Sequence, residues 1–187
     1  MAFIHNTTMS PTKLELLASW LPRQPWYAEP ADAELARAGG FRLDDPDGEV
    51  GIEFMVVRAG LTAYLVPMTY RGAPLDGAED ALIGTAEHGV LGDRWIYDGT
   101  RDPVLAAQLS ALLAGAAEPQ AQSQTDTPDP TVHSRPAGEP GATVTLHRAL
   151  VATDEDTARE LIKDGGLSAT WVLPSGERVR GVFASPA

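Results

Sequence analysis

The chain predicts an α+β fold, an antiparallel sheet of about five strands packed by one or two helices, and two stretches carry most of that reading. Residues 49–71, EVGIEFMVVRAGLTAYLVPMTYR, hold two runs of β-branched and aromatic residues around Arg58, Ala59 and Gly60, the pattern of a hairpin. Residues 87–115, EHGVLGDRWIYDGTRDPVLAAQLSALLAG, read as a strand, a glycine turn, an aromatic strand and a capped helix with hardly a spare residue. A third observation sets the organisation: from 116 to 142 large apolar residues nearly vanish, so little there offsets the entropy of ordering the backbone. The expected division is therefore a main domain over 1–115, a flexible linker over 116–142 and a small β-rich C-terminal extension over 143–187.

Composition narrows the function. The 26 acidic against 14 basic residues give a formal charge of −12, which repels phosphate backbones and anionic lipid alike. Nucleic acid and membrane are not expected partners. No cysteine is present, which removes disulfides and thiolate metal sites. The N-terminus lacks the basic start and apolar run of a signal peptide, and no apolar run approaches the roughly 20 residues that span a bilayer. A cytoplasmic protein is the expectation.

Taken in order, Ser10 and Pro11 look like a helix cap and first position. Leu14, Leu17, Ala18 and Leu21 then line one helical face, and Pro22 ends the helix. Residues 33–40 fit either a short helix or a strand. Asp44 to Gly48 reads as a solvated turn, without the ligand pattern of a calcium loop. In the hairpin, a three-residue loop at 58–60 would set Val57 opposite Leu61, Phe54 opposite Tyr64, Ile52 opposite Val66 and Val50 opposite Met68. That register makes one face core and the other mixed, and Pro67 marks an edge or a break.

Residues 71–80 form a crossing rich in turn residues, and residues 81–90 and 94–98 form strands around Leu91, Gly92 and Asp93. Asp102 and Pro103 start a helix whose Leu105, Leu109, Leu112 and Leu113 face the core, and Gly115 caps its end. A strand at 143–151, a short helix to Lys163 and a hairpin across Pro174 to Gly176 complete the chain.

The two stretches above, with Gln24, Pro25, Trp26 and Tyr27 after the first helix, resemble the N-terminal cap module of bacterial maltokinases. Short cap-like proteins often named as 1,4-alpha-glucan branching proteins share this likeness. Pro25 stands where those kinases favour arginine, and Ala28 to Pro30 replaces a glycine–lysine segment. The resemblance implies a strand over 35–43, a cystatin-like topology, and an accessory role in glycogen, maltose and trehalose metabolism through a protein partner. The kinase machinery of that family lies in lobes after the cap.

The sequence itself carries no strong catalytic motif. Phosphoryl transfer needs a phosphate-binding lysine or arginine, magnesium ligands and a catalytic carboxylate, and no glycine-rich loop with lysine or His-Xaa-Asp loop occurs. Glucan branching needs paired carboxylates, usually on a barrel of about 250 residues. Glu53, Glu87, Asp93 and Asp98 are candidates only as members of an acid-rich chain. No cofactor or metal is expected. The candidate binding residues are Arg71, His88, Arg94, Trp95, Tyr97 and Asp98. Trp95 and Tyr97 share one strand face and suit stacking on a sugar such as a maltooligosaccharide, or packing under the 105–113 helix. His88 fits a pocket with them or a capped turn.

Overall fold

The structure is a computed structural model that describes residues 9–124, 126–136 and 144–187. The first eight residues, part of the expected linker and the start of the 143–151 strand lie outside the described residues. In order, the elements are β1 (Met9–Ser10), α1 (Lys13–Trp20), β2 (Leu35–Leu43), β3 (Gly51–Ala59), β4 (Thr62–Arg71), β5 (Leu82–His88), β6 (Gly92–Asp98) and α2 (Pro103–Leu113). They continue with β7 (Gln120–Ala121), β8 (His133–Arg135), β9 (Val144–Leu146), β10 (Ala149–Leu150), α3 (Glu155–Leu161), β11 (Gly166–Val172) and β12 (Arg178–Pro186). The fold is α+β. One 12-stranded sheet runs in the order β1-β5-β6-β4-β3-β2-β11-β12-β9, with β10 on β4, β7 on β2 and β8 on β11.

The expected separation of a C-terminal extension is corrected by this order. The terminal hairpin enters the main sheet where Trp171 pairs with Gly39, and Trp171, Phe183 and Leu167 join Phe41, Phe54 and the α2 leucines in one core cluster. The described part of the expected linker carries β7 and β8, both paired into the same sheet. Its residues are tied down by backbone bonds to neighbours, which a composition count does not register.

The β3–β4 register also differs from the expected one. The turn holds two residues, Gly60 and Leu61, so Ala59 pairs with Thr62, Val57 with Tyr64, Phe54 with Pro67 and Ile52 with Thr69. Gly60 has φ 59° at the first central position, which suits the tight primed turn matching strand twist. An odd slip reverses the relative facing of the two strands. Both faces are in fact buried: Ile52, Phe54, Val56 and Leu65 meet α2, while Met55, Val57, Val66 and Met68 meet Leu17, Trp20 and Leu21. Leu61, expected to pair, sits at the turn 87% exposed.

Pro67 does mark a break. The Leu65 N–H donates outward to the Arg148 carbonyl at 2.8 Å, so the ring nitrogen two residues on faces the same edge. There the partner changes, from β10 at residues 63–64 to β6 at residues 68–71, and no ladder bond is lost. On the opposite side of the sheet, β2 bends through a bulge between Arg37 and Gly39. Gly40 has φ 130°, and a Cβ there would lie 2.2 Å from the Phe54 carbonyl oxygen, so the close approach of β2 and β3 requires glycine.

The caps follow local chemistry. Ser10 belongs to β1 rather than capping α1. Thr12 is the cap, in a reciprocal box with Glu15, satisfying two amides at the helix start. Asp102 caps α2 by accepting from the Val104 N–H. Asp45, expected in a solvated turn, is buried and accepts from the amides of Asp47, Glu49 and Val50. No helix among the described residues is long and apolar enough to cross a membrane.

Candidate functional site

The six candidate residues do not converge. On β6, Trp95 and Tyr97 point to one face and Arg94 and Asp98 to the other, as alternation requires. His88 pairs with Gly92, which places it on the Arg94 face, away from the two aromatics. Its Nδ1 accepts from the N–H groups of Val90 and Leu91 at 3.4 and 3.2 Å, so it caps the β5–β6 turn. Arg94 donates to the Asp93 carbonyl. Trp95 and Tyr97 pack against Leu75, Ala78, Ala81 and Leu82, under the crossing rather than under α2. The Tyr97 hydroxyl accepts from the Leu75 N–H at 2.9 Å. That bond pins the crossing and occupies the ring's polar end.

Arg71 and Asp98 are held in ion pairs. Arg71 grips Asp102 with two bonds of 2.7 Å, a bidentate geometry with a fully buried carboxylate. Asp98 accepts from Thr100 and takes Arg148 Nη2 at 2.5 Å. The Arg148 guanidinium lies 4.9 Å from the centroid of Trp26, and Trp26 packs in turn on Trp20 and Tyr64. Arg148 carries no sequence signal for this role. It comes from beyond the expected linker, and only the β4–β10 pairing brings it to Asp98.

A third constellation centres on Glu53, 3% exposed on the α1 side of β3. Its carboxylate takes Lys13 Nζ at 2.5 Å, the Tyr70 hydroxyl at 2.5 Å and Gln122 Nε2 at 2.6 Å. Arg37 extends the network by donating to Gln122 Oε1 and Ser123 Oγ. Burial pushes the Glu53 carboxyl up, but the Lys13 charge and the bonds from Lys13, Tyr70 and Gln122 together hold it below its ordinary value. Burial and the Glu53 charge push the Tyr70 hydroxyl well above its own, so it remains the donor. The network ties α1, β2, β3, β4 and the segment after β7 around one charge.

A groove of about 480 Å³ opens at the other end of the sheet from the β5–β6 turn. Glu29, Pro30, Glu34, Arg58, Gly60 and Pro174 help to line it. Among the described residues no group of three or more His, Cys, Asp or Glu is placed to hold a metal ion.

Residues 20–102, running from the Trp20 end of α1 through the Asp102 cap, match the family model described as the maltokinase N-terminal cap domain. Over these residues the chain is similar to a maltokinase cap domain. No curated protein matches the chain. The match places Trp26, Glu53, Tyr70, Arg71, Asp98 and Asp102 inside the cap region, while Lys13, Gln122 and Arg148, which complete three of their contacts, lie outside it.

The pairings separate the six residues by expected mutational effect. Asp98→Ala strands the half-buried Arg148 guanidinium and Arg71→Ala strands the buried Asp102, so each should cost about 2 to 4 kcal/mol. His88→Ala and Arg94→Ala should stay within about 0.5 kcal/mol, as turn and surface changes do. Urea melts of the four variants separate the sets, and equal losses in all four would refute the division.

Proposed function

We propose that this chain is a non-catalytic, cap-like accessory protein of maltokinase-type glycogen, maltose and trehalose metabolism, acting in the cytoplasm through a protein partner. The observation that carries the reading is the cap-domain match over residues 20–102. A helix followed by an antiparallel run of strands, α1 then β2 to β4, supports a cystatin-like description of that region. The commitment of its buried carboxylates supports a non-catalytic role. Glu53, Asp98 and Asp102 are each spent on ion pairs and amide or hydroxyl bonds that hold elements of the fold together. A catalytic carboxylate must instead reach a reacting atom.

Two assays test the proposal. The purified chain, supplied with ATP and maltose or with a linear α-glucan, is expected to give neither phosphorylated sugar nor new branches. Turnover that is lost in Asp98→Asn or Glu53→Gln while the fold is retained would overturn the non-catalytic reading. Mixed with a maltokinase, the chain is expected to co-sediment with it or to change its kcat or KM for maltose. If neither happens, the maltokinase-linked accessory role fails.

A further inference from the structure

Among the described residues, Arg58 is the half-buried arginine that the fold leaves unpaired. Arg71, Arg94, Arg148 and Arg180 each donate to a nearby oxygen, and Arg42 has a partner as well. Arg58 joins no ion pair and no hydrogen bond among the described residues, and its Nε is buried. Its neighbours across the ladder are Ala36 and Ala63, which offer no side-chain acceptor. A partly desolvated guanidinium without an acceptor is costly, the more so in a chain with 26 acidic residues to draw on.

Two of those acids stand in the same groove. Glu29 and Glu34 line it with Pro30, Arg58, Gly60 and Pro174 around a volume of about 480 Å³, yet among the described residues neither forms an ion pair with Arg58. Glu29 is held aside, its Oε1 accepting from the Thr62 hydroxyl at 2.6 Å. Gly60 has φ 59°, which selects glycine, so no side chain fills the space beside Glu29 Oε2. Pro30 and Pro174 add walls of fixed backbone φ, the second of them from the β11–β12 turn. One cation and two anions are thus set apart around a space of the size that small-molecule sites have, about 300 to 1,000 Å³.

We propose that this groove binds a free basic amino acid such as lysine, a small molecule with one carboxylate and two cationic groups. The carboxylate matches the Arg58 fork, while the α-ammonium and the side-chain cation face Glu29 and Glu34. Every charge of the groove then meets its opposite. A neutral sugar leaves all three charges unneutralised, and an inorganic anion meets two carboxylates. The site goes beyond the accessory reading and does not depend on it.

The test is calorimetric titration of the full-length chain with lysine and with four probes. Cadaverine lacks the carboxylate, norleucine the side-chain cation, Nα-acetyl-lysine the α-ammonium, and maltose all charge. Lysine should bind at least about tenfold tighter than each of them, roughly the worth of one charge-assisted pair, and added salt should weaken it. In Arg58→Met, lysine and cadaverine should bind alike. In Glu34→Gln, a change at an exposed position, lysine should lose its advantage over norleucine or over acetyl-lysine. No binding of lysine at millimolar concentration, or equal binding of cadaverine or norleucine to the wild-type chain, overturns the proposal. Maltose binding that is lost in Arg58→Met would assign the groove to a sugar, and acetyl-lysine binding as tightly as lysine would assign it to a peptide C-terminus; either overturns it too. Should Arg58→Met not fold, the wild-type series and Glu34→Gln still decide.

Discussion

Trp171→Ala is expected to destabilise the chain by about 3 to 5 kcal/mol, the cost of emptying a large aromatic site in a core. Trp171 is buried, packs 6.2 Å from Phe183 by ring centroids, and bridges the terminal hairpin to β2 through Gly39. Its indole Nε1 has no hydrogen-bond partner among the described residues, which places the loss toward the lower end of that range. Set against a typical stability of about 5 to 15 kcal/mol, the variant should be marginal and should unfold in one transition. A urea melt followed both by far-ultraviolet circular dichroism and by tryptophan fluorescence checks this. A loss below about 1 kcal/mol, or a transition confined to the terminal hairpin, would mean that β11 and β12 are an appendage. The same packing predicts that residues 1–115 expressed alone do not fold, because Phe41, Phe54 and the α2 leucines would lose Leu167, Trp171 and Phe183 from their cluster.

Lys13→Met is expected to cost about 2 to 4 kcal/mol, since it leaves the Glu53 charge buried without its counter-ion. The figure is kept below the upper limit for buried pairs because the Lys13 side chain is 40% exposed and its partial hydration weakens the pair. The same site should appear in the acid limb of stability. The Glu53 carboxyl is held below its ordinary 4.5 despite the opposing effect of burial. Asp102 is held below its ordinary 3.8, where burial again opposes and the bonds from Arg71 and the Val104 amide prevail. A carboxyl with a depressed folded value binds fewer protons folded than unfolded, so its contribution is complete above the ordinary value and is lost as the pH falls through the folded one. The melting temperature of the wild-type chain should therefore fall as the pH drops below 4.5, with a shallower fall in Glu53→Gln. Equal acid slopes in the two proteins would remove Glu53 from the account.

Much of the fold was legible because it is written in local chemistry. The Asp102–Pro103 start and Gly115 end of α2, the alternation of β6 and the glycine at the β3–β4 turn each act within a few residues, and each element is found where the sequence places it. The hairpin register was not legible, because a two-residue and a three-residue loop both accommodate Gly60, and with both sheet faces buried the apolar pattern does not choose between them. Of the six candidate site residues, Trp95 and Tyr97 were correctly paired on one face. Arg71 and Asp98, expected as binding residues, are members of ion pairs that the sequence does not signal, since Asp102 doubles as a helix cap and Arg148 lies 50 residues from Asp98.

By itself, the sequence determined the α+β class, the capped α2 helix and the cap-like stretches. Tertiary structure decided that the terminal hairpin belongs to the sheet, that Glu53 anchors five segments, and that a strap from beyond the cap region covers the edge of β4. The physical reason is range. Propensity, capping and turn geometry act over a few residues and leave their mark in the order of side chains, whereas strand pairing and charge burial join residues far apart in the chain, and neither Gly39 with Trp171 nor Asp98 with Arg148 carries a local sign of its partner.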